Sequence, residues 1–210
     1  MTSVPDRVMC RLVSRTRPPA GAEVPVRPPG APTPGMVIPS HYRWCVGCGE
    51  DHPTGLHLRI IAGPTMEVHG NFHVSEHHQG APGLAHGGVL TTALDEVLGS
   101  LNWLLGVPAV TARLAVDFLR PVPVTSNLQI HAWITGQVGR KIFTEAQGSL
   151  DDSGKAVLAV QATAVFVQVP IEHFLAHGNA ADVDRAVADR ARGGPQWRPL
   201  DGQGIVDVNP

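Results

Sequence analysis

The spacing of apolar positions changes twice along the chain. Gly55 to Ile61 and Glu67 to Val74 alternate apolar and polar residues, the two-residue period of a half-buried strand, with a turn at Gly63 and Pro64 between them. Ser75 to Ala85, rich in His, Gln, Gly and Pro, reads as a loop. The period then lengthens. Val89, Leu90, Ala93, Leu94, Val97, Leu98, Leu101, Leu104 and Leu105 recur at three- and four-residue spacing and predict an amphipathic helix, closed by Gly106, Val107 and Pro108. Alternation returns in four segments, roughly 110–119, 127–138, 141–150 and 155–168. Pro121 and Pro123 and two hairpin turns, Gly139-Arg140-Lys141 and Asp151-Asp152-Ser153-Gly154, punctuate them. Two strands, one long helix and four strands, with no strand–helix alternation, predict an α+β layout: one antiparallel sheet and one helix.

The flanks lack such periods. Residues 1–40 are proline-rich with scattered valines and read as an irregular or disordered leader without an apolar face to bury. The compact domain is expected over 41–176. A C-terminal extension, 177–210, holds a short surface helix near 180–192 and a tail. No internal repeat is present.

Composition narrows the function classes. The 210 residues fit one domain with tails, and a net charge of −2 argues against nucleic acid as the main partner. No apolar run approaches the roughly 20 residues of a membrane span. The N-terminal arginines precede no apolar stretch of the secretory kind, and three cysteines fit a reducing compartment, so a cytoplasmic protein is expected.

The stretch "GAPGLAHGGVLTTALDEVLG" holds the candidate chemistry. On the helix, Asp95 shares a face with Thr91, Thr92, Gly99 and Asn102, opposite the leucine stripe. That face could simply be solvated, but it is small and short of long charged side chains, and a lone helix on one sheet leaves its back open to a second subunit. His86, Gly87 and Gly88 stand at the helix entrance. They are either close-packing glycines or the source of a free backbone N–H that polarises a carbonyl. Nine residues of helix rise roughly 13 Å, so Asp95 and the His86–Gly87 step of one chain cannot meet at one carbonyl. If they cooperate, they do so from two chains.

With these residues in view, "HHQGAPGLAHGGVLTTALDE", "TARLAVDFLRPVP" and "CVGCGEDHPTGLHL" together resemble hotdog-fold acyl-CoA thioesterases of the PaaI and THEM4-like group, over about residues 42–170. The resemblance implies an α+β hotdog fold, a sheet curled around one long helix, assembled as a homodimer or dimer of dimers. It places Asp95 as the carboxylate acting as base or nucleophile on the thioester, and the Gly87 N–H as the donor to its carbonyl. It puts His86 beside the donor, shaping the turn, and gives Thr111 a hydroxyl near the attacking water. Some relatives carry an Asn where Gly80 stands, and Gln79 is the neighbour that could take over the contact. Gly88, Arg120, Arg140 and Lys141 are further candidates to meet the substrate, the basic ones through CoA phosphates. Glu96 points about a hundred degrees away from Asp95 around the helix.

Other clusters compete. His41, Cys45, Cys48 and His52 form a His-x3-Cys-x2-Cys-x3-His run of four candidate zinc ligands, although zinc fingers separate their ligand pairs more widely. The resemblance favours a turn leading into the first strand, so no metal and no cofactor are expected. His69, His73, His77 and His78 gather near the presumed cleft, with metal binding a lesser reading. The expected activity is hydrolysis of acyl-CoA or another acyl thioester. The alternatives are a non-catalytic module that binds an acyl chain or acyl-CoA and a hotdog dehydratase using His86 as base.

Overall fold

The computed structural model describes residues 15–191, with side chains to 188. Its strands are β1 (Arg59–Ala62), β2 (Glu67–His73), β3 (Gln79–Ala81), β4 (Leu84–Ala85), β5 (Ala109–Phe118), β6 (Asn127–Val138), β7 (Lys141–Asp152) and β8 (Lys155–Gln168). Its helices are α1 (Gly87–Leu105), α2 (Ile171–His177) and α3 (Ala180–Ala191). Six strands form one sheet in the order β1-β2-β6-β7-β8-β5, antiparallel at each pairing. Around α1 this is the layout that the hotdog resemblance implies.

The helix forms where its leucine stripe can be buried. Leu94, Val97, Leu98, Leu101 and Leu104 are fully enclosed against the inward positions of the sheet, among them Val68 and Phe72 of β2 and Leu128 and Ile130 of β6. His86 caps the helix by accepting the Gly88 N–H on Nδ1 at 2.9 Å. Gly106 ends it in the left-handed conformation at φ 67°, where a side chain would be strained. Gly70 lets the helix settle on β2, because a Cβ there would lie 2.7 Å from Val97 Cγ2. Gly70→Ala should therefore cost about 1–3 kcal/mol in a urea melt, through overpacking of a buried β-branched side chain. A change below about 0.5 kcal/mol would mean that the seat is looser than this.

Two expectations need correction. The loop 75–85 contains a single 3-10 turn, Glu76–His78, and the small β3–β4 pair, packed in front of the helix entrance. The described part of the leader is irregular but is laid against the domain. The Ile38 N–H donates to Ile60 O and the Ala62 N–H to Met36 O, adding a short rung outside β1, and Ile38 is buried. Arg27 reaches the carbonyls of Pro32, Gly63 and Thr65. Thr16 is bonded to Thr163 Oγ1 at 2.8 Å, and Pro18 and Ala22 sit over Gly136. Backbone pairing, more than an apolar pattern, attaches this segment and covers the sheet edge. Ile38→Ala should lower stability by about 2–3 kcal/mol in denaturant unfolding. A segment with nothing to bury would show no change. Residues 1–14 and the tail beyond 191 lie outside the described residues, and so do the outer parts of the expected leader and extension.

Candidate active site

Asp95 sits at mid-helix, its side chain turned to the N-terminal end of β5. There Thr111 donates its hydroxyl to Asp95 Oδ1 at 2.9 Å. The β5–β8 register shifts between Thr111 and Arg113, a bulge of the kind that re-aims a side chain beside a site. Burial pushes the Asp95 carboxyl above its ordinary pKa. The Thr111 hydrogen bond opposes that shift, and the nearby Glu96 and Cys45 add to it. The result is a desolvated carboxylate held in one orientation by a hydroxyl.

Both groups line a cleft of about 650 Å³. Thr92, Asp95, Gly99 and Asn102 of α1 form one wall, with Trp103 and Phe166 contributing aromatic surface. Tyr42 and Val46 come from the segment before β1, and Phe174, Val183 and Val187 from α2 and α3. Asn102 Oδ1 is buried without a hydrogen-bond partner among the described residues, leaving an acceptor in the wall. The small face of Thr92, Asp95, Gly99 and Asn102 was readable from helical spacing. The α2 and α3 residues were not, because no local period links them to the cleft.

The helix entrance is a separate place. Gly87 is the first helical residue, so its N–H has no intrahelical acceptor, and the positive end of the helix dipole lies there. Neither it nor His86 or Gly88 lines the cleft beside Asp95 in the single chain. A Cβ on Gly87 would touch the ring of Phe118, which is 53% exposed at the end of β5. Gln79 holds the entrance loop, donating to Glu76 O and accepting from the Gly83 N–H. Gly80 packs on His86 so closely that a Cβ would lie 2.7 Å from its Cα. Arg120, Arg140 and Lys141 also lie away from this cleft, and Arg140 Nη1 is 3.3 Å from Gln168 O.

A second polar group shares the cleft, with His41, Cys45 and Glu96 in its lining. Cys45 Sγ lies 3.2 Å from Glu96 Oε2, Cys48 Sγ 3.3 Å from His41 Nδ1, and His41 Nδ1 3.6 Å from Glu96 Oε1. Burial works to lower the His41 pKa, but hydrogen bonds and charge from Cys45 and Glu96 prevail and raise it to about 9. The hydrogen bond with Cys48 holds the Cys45 thiol far below its ordinary pKa, and the same bond with burial pushes Cys48 up. The histidines of β2 and of the turn after it have separate partners. His69 stacks on His131, His73 meets Asn127 Oδ1, and His78 caps its own turn by accepting the Ser75 N–H.

Comparison with known proteins fits this architecture. The profile of the thioesterase superfamily matches residues 82–157, which contain α1, β5, β6 and β7 and hence Asp95 and Thr111. That stretch of the chain is similar to the thioesterase superfamily. The chain is 37% identical over 95 residues to the acyl-coenzyme A thioesterase THEM4 of Bos taurus, covering 45% of this chain and 38% of that protein. To its Xenopus laevis counterpart it is 36% identical over 92 residues, covering 43% and 40%. The matched stretch thus spans about two fifths of the length of these curated relatives. A crystal structure of a thioesterase superfamily protein superposes with a TM-score of 0.54 at 24% identity, covering 77% of this chain and 74% of that one, and shares the fold.

Proposed function

We propose that the hotdog domain hydrolyses acyl-CoA thioesters, giving a carboxylic acid and free CoA thiol. The observation that carries this reading is the 2.9 Å hydrogen bond from Thr111 to a half-buried Asp95 at the wall of a largely apolar cleft. The relatives' acyl-coenzyme A thioesterase activity supports it. Thr111 fixes Oδ1, leaving Oδ2 to take a proton from attacking water, or to attack the acyl carbon itself. As the carbonyl becomes tetrahedral, its oxygen needs a donor. The Gly87 N–H at the positive end of α1 is the candidate, with His86 and Gly88 shaping the turn.

In this reading the donor comes from a second copy. Gly87 and Asp95 are eight residues apart on one helix, about 12 Å at 1.5 Å per residue. β5 is an edge strand that ends in exposed Phe118 beside Gly87, followed by exposed Leu119, and a partner docked there would bring its own helix entrance toward the cleft. Arg120, Arg140 and Lys141 become phosphate contacts only through that assembly. A cytoplasmic setting fits the free thiols of Cys45 and Cys48, and no helix among the described residues is long and apolar enough to cross a membrane.

A panel of aliphatic and aromatic acyl-CoAs, assayed by release of free thiol, tests the reading. Hydrolysis of at least one member, well above the uncatalysed rate, is expected. Saturable binding of acyl-CoA without thiol release would replace it with the binding-module reading, and loss of water from a hydroxyacyl-CoA with the dehydratase reading.

A further inference from the structure

The cluster at the cleft has the form of a metal site, and its fourth member is not the one that the sequence run offers. We propose that His41 Nδ1, Cys45 Sγ, Cys48 Sγ and a carboxylate oxygen of Glu96 bind zinc tetrahedrally, clamping the 41–49 turn to the central helix. The proposal does not depend on the thioesterase reading.

Geometry is the first argument. Zinc holds sulfur at about 2.3 Å and nitrogen or oxygen at about 2.0–2.2 Å, so the edges of a tetrahedral site measure about 3.3–3.8 Å. Here Cys48 Sγ lies 3.3 Å from His41 Nδ1, the two Glu96 oxygens lie 3.2 Å from Cys45 Sγ (Oε2) and 3.6 Å from His41 Nδ1 (Oε1), and one donor atom from each of the four residues falls within 4.8 Å of the others. Two thiolates, an imidazole and a carboxylate in that arrangement select zinc over the harder calcium or magnesium, which take oxygen ligands.

The surroundings are the second argument. The Gly47 N–H points at Cys45 Sγ at 3.3 Å, and Ser40 Oγ lies 3.3 Å from Cys48 Sγ. A backbone donor such as the Gly47 N–H stabilises a thiolate and orients it as a ligand. Both glycines of the turn are there for want of room. A Cβ on Gly47 would run into the Glu96 side chain, and one on Gly49 would meet Arg43 O and Cys45 N at 2.5 Å. The Gly49 N–H closes the turn on Cys45 O at 2.8 Å. The backbone is thus tightly folded around the two sulfurs and pressed against the Glu96 carboxylate.

His52 is left out. Its Nδ1 accepts from the Thr54 N–H at 3.3 Å, within its own loop. The sequence run supplies three ligands, and the helix supplies the fourth from the position after Asp95. This also explains the missing distant ligand pair of a zinc finger: the other half of the site is one carboxylate on another element.

The test uses the full chain purified without chelator from zinc-sufficient medium. Elemental analysis should give about one zinc per chain, falling below about a tenth in Cys45→Ser and in Cys48→Ser. Cys10→Ser and His52→Ala should keep it. Glu96→Gln decides the fourth ligand and should weaken zinc binding by about tenfold or more in competition with a chromogenic chelator. If a serine variant fails to fold, cobalt titration of the stripped wild-type chain gives the answer. Thiolate charge-transfer absorption and intense tetrahedral d–d bands should saturate at one equivalent. The proposal is overturned by wild-type protein with neither zinc nor the cobalt spectrum, by zinc retained without the cysteines, by Glu96→Gln binding as tightly as wild type, or by a Cys45–Cys48 disulfide in the purified protein.

Discussion

Replacing Asp95 with asparagine should lower thioester hydrolysis by about 10²–10⁴-fold while leaving the fold intact. Asparagine keeps the size of the side chain and an oxygen to accept the Thr111 hydroxyl, so the 2.9 Å contact can survive. What is lost is the ability to take a proton or to attack. Burial already disfavours the charged carboxylate, so removing the charge should leave thermal stability unchanged or slightly raised. Rates of thiol release and a melting curve on the same preparation check both halves. An Asp95→Asn protein with more than about a third of wild-type activity would show that the carboxylate does not take part. An inactive protein with a collapsed melting transition would place Asp95 in folding instead.

Mixing two inactive variants should restore hydrolysis to about a quarter of the wild-type level. Gly87→Pro removes the candidate N–H donor, at a helix position that tolerates proline. Each homodimer of Asp95→Asn or of Gly87→Pro would lack one half of both sites. After equal mixing and subunit exchange, about half of the dimers are mixed, and one site in each of those combines an intact Asp95 with an intact Gly87. The expectation rests on the helix length separating these groups in one chain and on their lining different surfaces there. Native mass spectrometry on differently tagged chains would report exchange independently. Mixed dimers that form and stay silent would refute the two-chain site.

The central helix and the four long strands β5 to β8 were legible because local period and burial coincide in them. Where they diverge, the sequence misleads. The alternation from Gly55 suggests that the first strand starts there, but β1 begins at Arg59. Leu56 and Leu58 donate to Val46 O and Gly47 O instead, and His57 between them has φ 48°. The leader was misjudged for a related reason: backbone rungs such as Ile38 to Ile60 leave little trace in side-chain pattern. Asp95 is legible from helical geometry and resemblance and Thr111 from resemblance alone, whereas the hydrogen bond between them comes from the fold. Glu96 was set aside because it faces away from Asp95 on the helix. Yet Glu96 lines the same cleft, and it meets the turn at 41–49, which only tertiary folding brings beside it.

The cleft has one hard side and one soft side. Asp95 is fixed by a helix capped at both ends and buried along its leucine stripe, so any shift of the carboxylate disturbs the whole core. The opposite wall includes Phe174, Val183 and Val187, from two helices after the last strand, and no residue of α2 is buried. Substitutions there reshape the space open to a bound chain without touching the packing that positions the chemistry. In the proposed reaction, selectivity can therefore drift in the C-terminal helices while the chemistry stays anchored in the central one, so the two properties would be free to evolve at different rates.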